Sequence, residues 1–301
     1  MMNHQQKDEL TGAVRDALLH AVTHLEPSLM TRLDWMHRET MSATKVLGAD
    51  DAKKARYEAS LEVLEMIQEN LAIADATGLP MCQDTGMVVA FVEMGSDVHF
   101  SMQEVGEALD NGIALAVRDG FFRNSVVSDP VFDRENTRTN LPAVVHWFPK
   151  ESGGLTIRMM LKGFGSENCS ALAMLNPTAG VETVLSTILD MVRKAGGKPC
   201  PPIVLGVGLG GTAERALLLS KKALLREVGS TNPDPRYARL EQQLFDSIQD
   251  LHIGPGGFGG PLTALAVAVE HEPTHIAGLP VGVSISCWAD RKAVVQWGGA
   301  Q

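Results

Sequence analysis

Residues 79–94 read Leu-Pro-Met-Cys-Gln-Asp-Thr-Gly-Met-Val-Val-Ala-Phe-Val-Glu-Met, and the character of the chain changes at this stretch. Before it, from Leu10 onward, apolar residues recur every three to four positions, which is typical of amphipathic helices. After it, short apolar runs are broken by Gly and Pro, which is typical of strands joined by turns. The sequence therefore predicts an α+β fold with mixed α/β character, in which a helical N-terminal lobe over residues 1–78 precedes an α/β core over residues 79–301.

The pattern beyond this stretch predicts individual elements. The predicted strands are Val88–Met94, Ala143–Phe148, Leu155–Leu161, Ile203–Val207 and Ile276–Ile285. The predicted helices are Met102–Arg118, Val181–Lys194, Thr212–Val228, Pro235–Leu251 and Leu262–Glu270. Strands and helices mix without regular alternation, which favours an α+β arrangement over a repeated βα unit.

Composition limits the classes of partner. The chain has 301 residues, of which 45% are apolar and 21% are charged, as is usual for a globular protein. Its formal net charge is −10, and it has no block of basic residues, so nucleic acid is not an expected partner. No apolar run reaches the length of about 20 residues that spans a bilayer, and the polar N-terminus has no signal-peptide core. We therefore expect a cytoplasmic protein without membrane contact, in which thiols stay reduced.

The chain has four cysteines, at positions 82, 169, 200 and 287, and none forms the Cys-x-x-Cys pair of structural zinc sites. Cys82, Cys200 and Cys287 each lie where a loop meets a predicted strand, so that their thiolates can project into a shared cleft. Three soft ligands from remote segments suit an iron–sulfur cluster better than zinc. The alternative is that each is a small buried residue, the usual environment of a lone cysteine.

The role of Cys169 separates two classes of function. Three thiolate ligands leave one iron of a four-iron cube open as a Lewis acid for substrate. Four thiolates close the cluster and favour electron transfer.

Three glycine-rich segments, at 162–168, 206–212 and 254–260, are expected to form turns after strands. Such turns let the main chain approach a ligand, and exposed N–H groups at a helix start favour anions such as a small dicarboxylate. The alternative is that they are tight turns that need positive φ. The segment 206–211 matches Gly-x-Gly-x-x-Gly, but a loop, Gly229–Pro235, stands where a dinucleotide site needs a second strand. A dinucleotide site is therefore not expected.

Four motifs occur in order along the chain. They are Cys-Gln-Asp-Thr-Gly at 82–86, Lys-Gly-Phe-Gly-Ser-Glu-Asn at 162–168, Cys-Pro-Pro at 200–202 and Ser-Cys-Trp-Ala-Asp-Arg at 286–291. Together they closely resemble the class I fumarase family, whose relatives include the two-subunit tartrate dehydratases. Single-chain members continue into a further C-terminal domain, whereas this chain stops at Gln301. The resemblance therefore implies an α subunit that acts with a separate β subunit, as a homodimer of α or as α2β2.

The resemblance implies a [4Fe–4S] cluster held by Cys82, Cys200 and Cys287, with the fourth iron open for substrate. It gives Cys169 no ligand role, so we assign this residue to packing. The expected reaction is the reversible hydration of a small dicarboxylate, fumarate to malate. The segment 162–168 is more similar to fumarase than to tartrate dehydratase. The alternatives are a tartrate dehydratase α subunit and a non-catalytic protein that uses all four cysteines for electron transfer or iron sensing.

The same resemblance assigns further site residues. It implies substrate contacts from Gln83, Arg123 and Gly165, and catalytic roles for Asp84 and for His275, the latter across a subunit boundary. An arginine suits a carboxylate because its guanidinium is planar and always charged. Asp84 alternatively caps the turn at Thr85-Gly86, and His275 alternatively is a structural histidine. The catalytic base stays unassigned, because the family draws further groups from the C-terminal part.

Overall fold

The structure is a computed structural model that describes residues 2–48 and 51–298. In chain order, its helices are α1 His4–Thr23, α2 Pro27–Lys45, α3 Lys54–Thr77, α4 Met102–Asp119, α5 Phe164–Glu167, α6 Val181–Ala195, α7 Ala213–Leu224 and α8 Pro235–Gln249. Its strands are β1 Met87–Gly95, β2 Val144–Lys150, β3 Leu155–Lys162, β4 Ala171–Leu175, β5 Ile203–Gly211, β6 Ala264–Thr274, β7 Leu279–Ser286 and β8 Lys292–Trp297. No helix in the described ranges is long and apolar enough to cross a membrane.

The chain divides into two compact units, each discontinuous in sequence. Unit 1 takes the chain up to Leu25, then Asn70–Phe164, and then the chain from Arg291 onward. Unit 2 takes Glu26–Glu69 and Gly165–Asp290. Helix α1 belongs to unit 1 and α2 to unit 2. The division into an N-terminal lobe over residues 1–78 and a core over residues 79–301 stays a prediction. The mixed α+β fold class predicted from the sequence is confirmed.

Unit 1 is built on a four-stranded sheet in the order β2-β1-β3-β8. Strand β1 is parallel to β2 and antiparallel to β3, and β3 is antiparallel to β8. Helices α1 and α4 contribute fully buried side chains to the unit's apolar core, including Leu10, Val14 and Ile113. Capping boxes at the N-termini of both helices satisfy the first main-chain N–H groups. The apolar residues that recur from Leu10 onward lie on the buried face of α1.

Unit 2 is built on a second four-stranded sheet in the order β4-β7-β5-β6. Strand β5 is parallel to β6 and antiparallel to β7, and β4 is antiparallel to β7. Helices α6 and α8 contribute Ile188, Leu244 and Ile248 to a core that also contains buried side chains of β5, β6 and β7. The sheet thus carries β4 and β5, which follow the second and third motifs, and β7, which leads into the fourth motif.

The predicted glycine turn at 206–212 is wrong, because residues 206–211 lie within β5. The glycines are needed there for helix packing. A Cβ on Gly206 would lie 2.1 Å from the Ser220 carbonyl oxygen, and a Cβ on Gly208 would lie 2.0 Å from that of Ala216, both on α7. Residues 229–235 contain no strand, as predicted for this loop.

The predicted helix Leu262–Glu270 is also wrong, because Ala264–Thr274 forms strand β6. Its residues pair in parallel with β5, for example Leu205 with Val267. Residues 264–269 are all buried. A fully buried strand is a continuous apolar run, which periodicity alone does not distinguish from a buried helix. Strands β4 and β8 are short and were not predicted. Pairing with remote strands, not local propensity, decides these segments.

Candidate active site

The loop Cys82-Gln83-Asp84-Thr85-Gly86 of unit 1 leads into β1 and crosses the end of β3 at close range. Gly86 has a φ of 88°, and a Cβ at this position would lie 2.8 Å from the carbonyl carbons of Leu161 and Lys162. Thr85 is buried, Cys82 and Asp84 are half-buried, and Gln83 is exposed. The loop therefore has one tightly packed end and one end that is open to a ligand.

Both oxygens of the Asp84 carboxylate accept main-chain hydrogen bonds. Oδ1 accepts from the Gly86 N–H at 3.1 Å, which is the turn-capping contact left open by the sequence. Oδ2 accepts from the Phe164 N–H at 2.8 Å. Asp84 therefore caps its own turn and also binds the glycine-rich second motif, within which Gly163 immediately follows β3.

Arg291, the last residue of the fourth motif, contacts the same loop. Its Nη1 donates to the Asp84 carbonyl oxygen at 2.8 Å, and the residue is only 2% exposed. Arg291 was not among the site residues predicted from the sequence. The available signal was an arginine that closes the Ser-Cys-Trp-Ala-Asp-Arg motif directly before a strand.

Arg123 lies next to the loop through its main chain. Its N–H donates to Thr85 Oγ1 at 3.0 Å, and its carbonyl oxygen accepts from Nδ2 of the buried Asn140 at 2.9 Å. The residue itself is exposed. Unit 1 thus brings Gln83, Asp84 and Arg123, which the sequence predicted as site residues, into one neighbourhood together with Cys82.

Cys200 and Cys287 lie at the same end of two neighbouring strands in unit 2. Cys200 is three residues before β5, and Cys287 directly follows β7. The antiparallel register pairs Val204 with Ser286, so the chain enters β5 where it leaves β7. Unit 2 therefore brings these two predicted ligands to one end of its sheet.

The Cys200 loop is held by main-chain contacts. Cys200 has a φ of 55°, is exposed, and donates its N–H to the Gly197 carbonyl oxygen at 3.1 Å. The Gly256 N–H donates to the Pro201 carbonyl oxygen at 2.8 Å. The third glycine-rich segment does form a turn with several positive φ angles, and it supports this cysteine loop.

Cys169 lies on the segment of unit 2 between α5 and β4. Its Sγ lies 3.5 Å from the carbonyl oxygen of Gly165, which is the residue predicted as a substrate contact. It also lines a cavity of about 310 Å³ together with Ser170, Lys194 and Lys198. Cys169 follows helix α5 and precedes β4, whose first residue, Ala171, pairs with Val283 of β7. It therefore also lies at the end of the sheet where the chain leaves β7 towards Cys287.

His275 is exposed in the loop between β6 and β7, where its Nδ1 accepts from the Ala277 N–H at 3.1 Å. It stands before Leu279, the first residue of β7, whereas Cys287 follows the last residue. Eight residues of strand separate the two, which is roughly 26 Å at the usual rise per residue. One chain therefore does not bring His275 to the strand end that carries Cys200 and Cys287.

Within the described ranges, no group of three or more His, Cys, Asp or Glu side chains is placed to hold a metal ion. The ligands of an iron–sulfur cube do not converge on a single ion, because each thiolate binds a different iron. Single cysteines on separate loops at strand ends, two of them half-buried and one exposed, have the donor chemistry of such a cube. The chemistry of these residues therefore fits the implied cluster.

Comparison with known proteins places this chain among the hydro-lyases. The family described as "Fumarate hydratase (Fumerase)" matches residues 29–296. A protein of Methanocaldococcus jannaschii, provisionally named L(+)-tartrate dehydratase subunit alpha, is 42% identical over 248 residues, covering 80% of this chain and 86% of that protein. The L(+)-tartrate dehydratase subunit alpha of Escherichia coli (strain K12) is 30% identical over 231 residues, covering 75% of each. The chain belongs to the fumarate hydratase (Fumerase) family, which confirms the resemblance seen in its motifs.

Proposed function

We propose that this chain is the cluster-holding α subunit of a reversible hydro-lyase that acts on a small dicarboxylate, with fumarate and malate as the first candidate pair. The observation that carries the proposal is the Asp84 loop. Its carboxylate is bound by the Phe164 N–H at 2.8 Å, and its other residues, Cys82 and Gln83, are not fully buried. A half-buried, oriented carboxylate beside a thiol and an exposed amide is a suitable set of groups for binding and protonating a dicarboxylate.

Cys82, Cys200 and Cys287 would hold a [4Fe–4S] cluster, and Cys169 would serve packing. When bound, the cluster supplies a Lewis acid at the iron that has no protein ligand. The support is the donor chemistry of the three loops and the membership of the family. The cytoplasm suits such a site, because its thiols stay reduced.

The other predicted residues take roles that their chemistry allows. The exposed Arg123 guanidinium would bind one substrate carboxylate in a bidentate contact, and Gln83 would donate a hydrogen bond to the substrate. The main chain at Gly165 would contribute a further substrate contact. Asp84 would hold or transfer a proton at its carboxylate oxygens, each of which has a lone pair beyond its main-chain bond.

His275 would act in the site of a second copy of the chain. Its Nδ1 accepts the Ala277 N–H, so the neutral ring carries its proton on Nε2, which would exchange a proton with the substrate. A homodimer of α or an α2β2 assembly would supply this histidine, and a separate β subunit would complete the site and provide the catalytic base. The relatives named above are themselves α subunits by name, which supports a β partner.

A second candidate substrate is L(+)-tartrate, which the names of both relatives favour. The test is to produce the chain with its β subunit, reconstitute the cluster without oxygen, and measure hydration of fumarate and dehydration of L(+)-tartrate. We expect fumarate turnover to be the faster reaction. Turnover of tartrate alone would assign the second candidate, and turnover of neither substrate with an intact cluster would reject the proposal.

A further inference from the structure

We propose that Arg291 is a positioning residue for the hydro-lyase reaction. Its buried guanidinium fixes the main chain at Asp84, so that the carboxylate keeps the orientation set by Gly86 and Phe164. This inference rests on the proposed function, which places Asp84 at the substrate. All the groups concerned belong to unit 1.

Burial alone makes Arg291 unusual. It is 2% exposed, and its Nε is buried without a hydrogen-bond partner among the described residues. Burying a guanidinium is costly, and an unpaired donor adds to that cost. One hydrogen bond to a neutral carbonyl oxygen offsets only part of it, so stability does not explain an arginine at this position. The bond must therefore serve the geometry of the group that accepts it.

The accepting carbonyl group belongs to Asp84, whose carboxylate accepts two main-chain hydrogen bonds. Arg291 Nη1 binds the Asp84 carbonyl oxygen at 2.8 Å, while the N–H groups of Gly86 and Phe164 bind Oδ1 and Oδ2 at 3.1 and 2.8 Å. The first bond fixes the main chain and the other two fix the carboxylate. Without the first bond, the two ends of the turn can shift while the carboxylate bonds stretch or break.

Gly163 lies between the two groups and leaves no spare room. A Cβ at this position would lie 3.2 Å from Asp84 Oδ2 and 3.6 Å from Arg291 Nη2. Gly163 therefore packs between the Arg291 guanidinium and the Asp84 carboxylate. A lysine carries a point charge on a flexible stem and lacks the planar fork, so it would replace this contact only in part.

Arg291 is itself held by the strand that ends at this glycine. Its carbonyl oxygen accepts from the Leu161 N–H at 3.0 Å, and the next residue, Lys292, pairs with Met160. Strand β3 therefore ends beside the guanidinium and continues directly into the second motif. The first, second and fourth motifs are thus brought into one hydrogen-bonded cluster at the end of β3.

The kinetic test uses the reconstituted enzyme with its β subunit. Arg291→Met removes the donor and keeps most of the side-chain volume. We expect kcat to fall by about 100-fold, as for a catalytic group misplaced by about 1 Å, and KM to change by less than about threefold. Arg291→Lys should recover part of the loss. The matched control is Arg158→Met, on β3, which removes a partly exposed arginine paired with Glu93 at 3.0 Å and should leave kcat unchanged.

A double variant tests whether Arg291 acts through Asp84. In an Asp84→Asn background, adding Arg291→Met should lower kcat by less than about threefold, since the group that it positions is already altered. A full additional 100-fold loss would overturn the positioning role.

Hydrogen exchange of the full cluster-free chain gives a readout independent of activity. In Arg291→Met, the main-chain N–H of Gly86 and its neighbours should exchange about tenfold faster, while residues 88–94 of β1 exchange as in the wild type. Uniformly faster exchange over unit 1 would show a merely structural role and overturn the proposal. Unchanged exchange at the loop, in a chain whose wild type is active, would overturn it for Arg291 alone. If loop exchange is faster in Arg291→Met but the wild type turns over neither dicarboxylate, the proposed function is overturned. The role of Arg291 in catalysis is then overturned with it.

Discussion

At the scale of single residues, Cys169, Cys200 and Cys287 differ in backbone conformation and in the elements that they adjoin. Cys200 stands in a left-handed conformation on an exposed loop, and Cys287 directly follows a strand. Cys169 instead follows a short helix with its Sγ directed at the Gly165 carbonyl oxygen. The proposed cluster uses Cys82, Cys200 and Cys287, so Cys169 offers a matched control of the same residue type.

Cys200→Ser and Cys287→Ser should each lower the iron and sulfide content of the anaerobically reconstituted protein to less than half, because a hydroxyl is a poor ligand for iron in such a cluster. Cys169→Ser should keep the cluster content and the electron paramagnetic resonance spectrum of the wild type. Loss of the cluster in Cys169→Ser would instead favour the four-cysteine electron-transfer protein.

At the scale of elements, α7 is packed onto the second sheet through glycines of β5. The Cβ position of Gly208 lies 2.0 Å from the Ala216 carbonyl oxygen and 2.6 Å from the Ser220 nitrogen. Both atoms belong to the helix backbone and cannot move independently of it. Because the helix packs directly against the strand, it can keep this position only if residue 208 has no side chain.

Gly208→Ala should therefore lower the free energy of unfolding by about 2–4 kcal/mol, because the helix must move away from the sheet. The matched control is Gly12→Ala in α1, where a Cβ would meet nothing within 4 Å. That variant should raise the free energy of unfolding by about 0.5–1 kcal/mol, since alanine is the better helix former. Urea unfolding measures both. Equal effects of the two substitutions would contradict the close packing.

The same helix is joined to β6 by an ion pair between Arg215 and Glu272. The Arg215 Nε donates to Glu272 Oε2 at 2.6 Å, and this bond holds the pKa of Glu272 below its usual value of 4.5. A carboxyl whose pKa is lowered by folding stabilises the fold above its unfolded-state pKa, and this contribution is lost as the pH falls through the folded-state pKa.

Glu272→Gln should therefore reduce stability at pH 7, and the difference from the wild type should shrink below about pH 4.5. The measurement is the free energy of unfolding of both proteins between pH 7 and pH 3. A difference that stays constant over this range would show that the bond does not perturb Glu272. Lys7→Gln, which removes an exposed pair with Glu107 in unit 1, serves as the control for general charge effects.

At the scale of the whole molecule, the ends of β7 separate two predicted groups. His275 precedes this strand and Cys287 follows it. The length of β7 keeps the two residues apart, and side-chain rotation within one chain cannot close this distance. If both serve one reaction, the active site must be assembled from two copies of the chain.

Complementation between two variants of low activity tests this assembly. We expect His275→Ala and Asp84→Asn each to lower kcat by roughly 100-fold or more when present alone, which leaves a low but measurable rate. The two variants are refolded together in equal amounts and combined with the β subunit. About half of the dimers would then be mixed, and each mixed dimer would have one site with both Asp84 and His275 intact. Roughly one quarter of all sites should therefore regain activity. No recovery in a mixture with proven mixed dimers would place His275 outside the active site.

Periodicity and motif order in the sequence predicted the α+β class, most element positions, the family and the loops that carry Asp84, Arg123 and the cysteines. These features are local, because side-chain spacing and glycine or proline content act on the neighbouring backbone. Tertiary structure alone decided that residues 264–274 form a strand, that Gly206 lies beneath a helix, and that Arg291 binds Asp84. Each of these depends on partners far apart in the sequence, whose approach is set by strand register and packing and leaves no local signal.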